Sequence, residues 1–284
     1  MPKLIVVNSS NYVMNSGNSF VYTLPQSIKL TNKSKVGVAS LSVYNSTFNI
    51  TAGRGNNTIT FVWNSLTPIT KTYTLPDSYM SASDLNYFLQ SKMYSDNLYM
   101  TFNNGTNVVY FFEIVQNSVQ YSIQLNSYFL PTAANATTLG YAMPPAATWV
   151  LPTVNQCPQL TFNTAFGSLI GFSAQTFPPT IAATNQSKIS ETTPNISPVD
   201  SYVLTCNMIN SKYSIPSNYF FALPLTGALG TLITFSSSNI VYNDIAPNVY
   251  SNIVIQFYDQ LFNRLDLKDK EIVLTISIDD SLEV

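Results

Sequence analysis

The chain of 284 residues carries 12 Lys and Arg against 14 Asp and Glu, no His, a formal net charge of −2, and only 9% charged residues. So little charge excludes the basic footprint of a nucleic-acid binder. Without His the chain also lacks the usual ligand of zinc and haem sites and the usual general base for a Ser or Cys nucleophile.

The opening "MPKLIVVNSSNYV" has an apolar run of four residues, too short for a signal-peptide core or a membrane span. A protein kept in a reducing compartment, without membrane insertion, is expected. Three strands are predicted in the first fifty residues: "KLIVVNS", then "NSFVYTL" stopped by Pro25, then "KVGVASLSVYNSTFNI". In the last, Val36, Val38, Leu41 and Val43 alternate with small or polar residues, close to the period of two of a half-buried strand.

From Thr51 the texture changes. After the turn-rich "TAGRGNNT", "TITFVWN" and "TKTYTLPDSYM" read as a hairpin. In "SASDLNYFLQSKMYSD", Ser81 or Ser83 can cap a helix whose Leu85, Phe88, Leu89 and Met93 share one face, and this is the one helix predicted. Strands "NLYMTFNN", "NVVYFFEIV" and "VQYSIQLN" follow, with Asn103-Asn-Gly favouring a tight turn between the first two. Residues 131–158 and 173–198, rich in Pro, Ala, Thr, Asn and Ser, read as loops around "PQLTFNTAFGSLIGF".

After Pro198 the strand texture returns in "SYVLTCNMI", "GTLITFSS", "NIVYNDIA", "NIVIQFYDQ" and "EIVLTISID". Three strands before the middle region and five after it make eight, the number in a two-sheet jelly roll. The expected fold is therefore mainly β: a single eight-stranded jelly-roll sandwich formed by residues 1–50 and 198–284. Residues 51–197 form a small α+β domain, with strands and one helix, inserted between the third and fourth strands of the roll.

Chemical signals are sparse. Asp259, Arg264, Asp266, Lys268, Asp269, Lys270 and Glu271 crowd one passage between two apolar strands, which reads as a solvated connection or hairpin loop. Paired acids for glycoside hydrolysis or a calcium site could be drawn from Asp259, Asp266 and Asp269, but the interspersed cations point to salt bridging, and the spacing matches no EF-hand. Gly167 and Gly171 of "FGSLIGF" are followed by no GKS/T, so they are expected to allow a turn or close packing, with Leu169, Ile170 and Phe172 in a core. Cys157 and Cys206 lack CxxC spacing and read as buried free thiols, with a long-range disulfide as the alternative. The sequons at Asn45, Asn49 and Asn135 are attributed to composition. An uncharged polar surface costs less to desolvate than a charged one and does not repel its own copies, which favours assembly. The 18 Tyr and 17 Phe are assigned to core and subunit interfaces, with ligand contact as the alternative.

Five segments in order, "SSNYVMNSGNSFVYTLP", "YTLPDSYMSASDLNYFLQSKM", "FNTAFGSLIGFSAQTFP", "VDSYVLTCNMINSKYSIPSN" and "YSNIVIQFYDQLFNRLDLKDKEIVLTISI", give the chain its resemblance to a known family. It resembles the penton, or minor capsid, proteins of virophages and Polinton-like viruses. The resemblance implies a structural, non-enzymatic protein of the virion, assembled inside the host cell and not secreted. Five copies would form a homopentamer at each five-fold vertex of an icosahedral capsid, in contact with the major capsid protein. No catalytic, cofactor-binding or metal residue and no cofactor comes with it. The rival reading is a virion surface spike or glycan- or receptor-binding module, acting through Trp63 or Trp149 of the inserted domain.

Overall fold

The computed structural model describes residues 2–280 apart from 9, 10, 12, 17, 103, 104 and 106. The protein is mainly β, with several antiparallel sheets, and divides into two compact units: Met1–Thr47 with Val199–Val284, and Phe48–Pro198.

The first unit begins with β1 (Lys3–Asn8), β2 (Val13–Ser16), β3 (Ser19–Leu30) and β4 (Lys35–Tyr44). The second contains β5 (Thr58–Trp63), β6 (Ile69–Thr74), α1 (Ala82–Ser95), β7 (Met100–Phe102), β8 (Asn107–Val109), β9 (Phe112–Asn117) and β10 (Ser122–Ser127). It ends with α2 (Ala133–Ala136), β11 (Tyr141–Ala142), β12 (Gln159–Phe162), α3 (Thr164–Ile170), β13 (Gln175–Phe177) and β14 (Gln186–Ile189). The chain then returns to the first unit through β15 (Ser201–Cys206), β16 (Tyr219–Pro224), β17 (Leu232–Ser236), β18 (Tyr242–Asp244), β19 (Asn248–Tyr258) and β20 (Ile272–Asp279).

In the first unit, one sheet has the order β1-β20-β4, with β17 and β18 following one another along the other flank of β4; the second has the order β16-β15-β19-β3-β2. Alternation sends Val36, Val38, Leu41 and Val43 of β4 and Leu274, Ile276 and Ile278 of β20 into a core shared with Phe20, Tyr202, Leu204, Ile253, Ile255 and Phe257 of the other sheet. The three-residue step from Val38 to Leu41 is a β-bulge. Thr275 pairs with Ser40 and Ile276 with Val38, which leaves Ala39 as the extra residue.

Several expectations need correction here. Pro25 does not stop its strand. β3 continues through it because the ladder to β19 is interrupted between Thr23↔Asn252 and Ile28↔Tyr250, and β2 pairs no further along β3 than Val21, so the missing N–H costs no ladder bond. The strand expected to reach Ile50 ends at Tyr44, beyond which Asn45 and Ser46 donate their N–H groups to Thr231 and to the Tyr202 hydroxyl. Neither β2 nor β16 was anticipated, so among the described residues ten strand segments stand where eight were expected.

The second unit holds sheets β13-β12-β5-β6, β14-β10-β9 and β11-β7-β8. Ser81 is the N-cap of α1, in a reciprocal capping box with Asp84, and Leu85, Leu89 and Met93 are buried against Phe61, Trp63, Phe112 and Ile114. "NVVYFFEIV" is not one strand: it breaks at Tyr110 and Phe111, and its halves join different sheets. α1 is not the only helix. α3 runs through "FGSLIGF", capped by Asn163 and ended by Gly171 at φ 81°. A Cβ on Gly167 would stand 2.5 Å from the Phe172 carbonyl oxygen, so close packing requires that glycine, and Leu169, Ile170 and Phe172 are buried. The stretches read as loops also carry α2, β11, β13 and β14. Residues 103 and 104 of the Asn103-Asn-Gly turn lie outside the described residues, while the β7–β8 pairing on either side is present.

Cys206 in the first unit and Cys157 in the second are free and buried. Burial pushes the Cys157 thiol up to about 11 and the Cys206 thiol up to about 12. Both are expected to resist iodoacetamide in the native protein near about pH 8 and to react once guanidinium unfolds it. Rapid native labelling of either would place that thiol at the surface.

Candidate functional site

The charged passage from Asp259 to Glu271 joins β19 to β20, strands of different sheets, so it is a connection between layers and not a hairpin. Nor is it wholly solvated. Asp259 is buried: Oδ1 accepts the N–H groups of Leu261 and Asn263 at 2.8 Å each, and Oδ2 accepts Asn263 Nδ2 at 2.9 Å. Leu265 and Leu267 from the same passage enter the core. Asp266 pairs with Lys268 at 2.6 Å, and Asp269 Oδ1 accepts the Glu271 N–H at 2.8 Å. These acids shape and brace the connection. Among the described residues, no three of His, Cys, Asp and Glu gather in a group that could hold a metal ion.

The surface with most capacity to act is larger and plainer. Within the ten strands of the first unit the charged residues are Lys3, Lys29, Lys35, Asp244 and Asp279, all at or next to strand ends. Two of the lysines are neutralised there, Lys3 by Asp280 at 2.7 Å and Lys35 by Asp244.

Directly opposed residues share a face, so the ladder registers give the composition of the outward surfaces. Across the first sheet one row reads Val6, Thr275, Ser40, Ser236 and the next Asn8, Val273, Ser42, Thr234, with Ser40 Oγ donating to Thr275 Oγ1 at 2.9 Å. Across the second, Val13, Val21 and Val254 form one row; Ser19, Gln256, Thr205 and Tyr219 form another, in which Ser19 and Thr205 are buried, so that part of this face is covered. Near Gly37 part of the first face is covered. A Cβ there would stand 2.4 Å from Ile240 Cγ2, so only glycine lets the loop before β18 lie on the sheet.

β1 is also an edge strand whose Leu4–Val7 stretch carries no charge and no Pro, the usual devices against edge-to-edge pairing. The Asn11 side chain covers the Val6 carbonyl and the Asn8 N–H, toward the end of the strand. Together β1 and β3 frame a cavity of about 270 Å³ whose lining is mostly apolar, Leu4, Ile5, Leu24, Ile28 and Ile278 among it, with Lys3 as its charged member. Chemically, these faces offer mainly hydroxyls, amides and aliphatic groups, which cost less to desolvate than ions. Individual face residues were not singled out from sequence, although the Ser40-Leu-Ser-Val alternation carries that signal.

Trp63 and Trp149, the proposed ligand contacts, are 0% and 4% exposed and pack edge to face at 5.1 Å. They belong to the core of the second unit and are not open to a ligand.

No family model and no curated protein matches the chain. Among solved structures, it is similar to the mavirus penton protein in its selenomethionine crystal form, with 10% identity, a TM-score of 0.41, and 98% of this chain and 99% of that one covered. It is also similar to a chain of the Sputnik virophage structure determined by cryo-EM, with 13% identity, a TM-score of 0.37, and 99% of each chain covered.

Proposed function

We propose that the chain is a non-enzymatic capsid protein, the penton of an icosahedral virion. In this reading the first unit is a single jelly roll and the second is an α+β insertion between its third and fourth strand positions. Strand order supports the roll: taking β17 and β18 as one position and β2 as an extension of β3, the sheets contain positions 1-8-3-6 and 2-7-4-5. Five copies close a ring at each vertex and meet the surrounding major capsid protein, and assembly takes place inside the host cell.

The observation that carries the reading is the scarcity of charge on the two sheets: in their strands charged residues stand only at or next to strand ends, Lys29 of β3 among them, and none falls in the Leu4–Val7 edge. A ring with heterologous contacts needs two different complementary surfaces per subunit, and the two faces supply candidates. Since neither depends on ion pairs, association is expected to survive high salt.

Light scattering on the full-length protein across concentration and salt tests this. The expected result is growth toward five times the 31.4 kDa chain, unchanged at high salt. Val273→Lys on one face and Val254→Lys on the other are each expected to hold the folded protein monomeric. A stable dimer or trimer, a wild-type chain monomeric to its solubility limit, or variants that assemble like wild type would count against the proposal.

A further inference from the structure

In the first unit, the loop between β15 and β16 presents apolar side chains that the fold does not use. Tyr213 and Ile215 are each 95% exposed, so packing within the chain returns almost nothing for the water they order. The backbone that carries them is nonetheless shaped. Ser211 donates its N–H to the Ser217 carbonyl at 2.7 Å, which closes the neck of the loop, and Tyr213 donates its own N–H to Ser211 Oγ at 3.2 Å. Two apolar side chains are held out on a closed loop.

The cavity between β1 and β3 is the converse feature, an apolar recess in which Leu4 and Ile5 face Leu24 and Ile28. Its charged member among the described residues, Lys3, is already neutralised by Asp280 at 2.7 Å. A cavity of about 150 Å³ admits a benzene ring. At about 270 Å³ the recess has room for a phenol and a branched aliphatic group together.

Projection and recess lie on opposite sides of this unit. Because β1 and β3 frame the recess, that side carries β1 of one sheet and β3 of the other, whereas β16 is the far edge of the second sheet. They also stand at the same end of the strands. At the base of the loop Asn210 donates its N–H to the Asp244 carbonyl; Asp244 is level with Lys35 of β4, Lys35 with Asp279 of β20, and the next residue, Ile278, with Lys3 of β1. A projection on one side and a recess on the other, at one level, is what a head-to-tail contact needs, since a single rotation carries each copy onto the next. We propose that Tyr213 and Ile215 of one copy enter the β1–β3 recess of a second copy. This rests on the reading of the chain as a ring-forming penton and gives that ring one defined contact.

Two variants test it by light scattering, at a concentration where the wild type assembles. Tyr213→Lys combined with Ile215→Lys removes the projection, and Leu4→Lys, at a position 64% exposed, puts a second cation beside Lys3 at the recess. Each alone should be monomeric, with the melting temperature of the wild type, because all three side chains are exposed. An equimolar mixture should form a species of twice the 31.4 kDa chain and nothing larger, since one variant keeps the recess, the other keeps the projection, and only one working contact remains. Wild-type assembly by either variant, or a wild type monomeric to its solubility limit, would overturn the contact. So would a mixture that stays monomeric, which would leave the recess to a different protein. A wild-type pentamer indifferent to both variants would overturn the contact and leave the penton reading standing. A wild-type trimer that both variants dissolve, and that the mixture rebuilds only as a dimer, would support the contact and remove the five-fold ring.

Discussion

Trp63→Ala is expected to destabilise the second unit by about 3–5 kcal/mol, a large part of the roughly 5–15 kcal/mol that holds a typical domain folded. The ring is fully buried on β5, edge-on to Phe111 at 6.0 Å and to Trp149 at 5.1 Å, so truncation opens a cavity in the middle of a packed aromatic group. Trp63→Phe should cost far less than the alanine change. The indole Nε1–H of Trp63 has no partner among the described residues, and phenylalanine removes that unsatisfied donor while keeping most of the ring volume. Trp149 is the contrasting case: its Nε1–H donates to the Asn97 carbonyl at 2.6 Å, so Trp149→Phe leaves that acceptor without its donor. Thermal unfolding gives the ordering, and hydrogen exchange at the amides of β5 and β12 places the loss in this unit. A Trp63→Ala protein within about 1 kcal/mol of wild type would mean that the ring is not a packing centre.

How much of this could be read in advance depended on whether the controlling contact was local. The step from Val38 to Leu41 already breaks a strict period of two, and it becomes the bulge at Ala39. The Ser81-to-Asp84 spacing announces its own cap, because both partners lie within one turn. By contrast, the apolar run across Tyr110 and Phe111 gives periodicity nothing to mark the break, since both halves are buried strand texture. α3 was hidden by Gly167, a poor helix residue kept there because the Phe172 carbonyl passes so close. Asp259 looks like any loop carboxylate in sequence, and only the fold of residues 259–263 buries it and supplies its three donors. The scarcity of charge on the sheets was foreshadowed in composition, which counts charges without locating them.

In the first unit the largest single loss is expected from Tyr202. This side chain on β15 is fully buried, edge-on to Phe257 at 6.0 Å. Its hydroxyl accepts the Ser46 N–H at 3.1 Å and donates to the Tyr44 carbonyl at 3.4 Å. β15 belongs to one sheet and Tyr44 to β4 of the other, so one phenol ties the two layers of the sandwich together. Tyr202→Phe keeps the ring and leaves the buried Ser46 N–H without an acceptor, a cost of about 1–3 kcal/mol. Tyr202→Ala adds the cavity, for about 3–5 kcal/mol or more in total.

Burial holds the Tyr202 phenol above its ordinary value of 10.0, and the Ser46 N–H offsets part of that rise. The unfolded chain therefore releases this proton at lower pH than the native one. The corresponding stability is intact below the unfolded value and declines as pH climbs past it toward the raised native value. Other tyrosines with raised values, Tyr73 and Tyr250 among them, share that alkaline loss, so Tyr202→Phe should reduce its slope by one proton and not remove it. Urea unfolding of wild type and the Phe variant, at neutral pH and above 10, measures both effects. An unchanged neutral stability together with an unchanged alkaline slope would mean that the hydroxyl does not bridge the sheets.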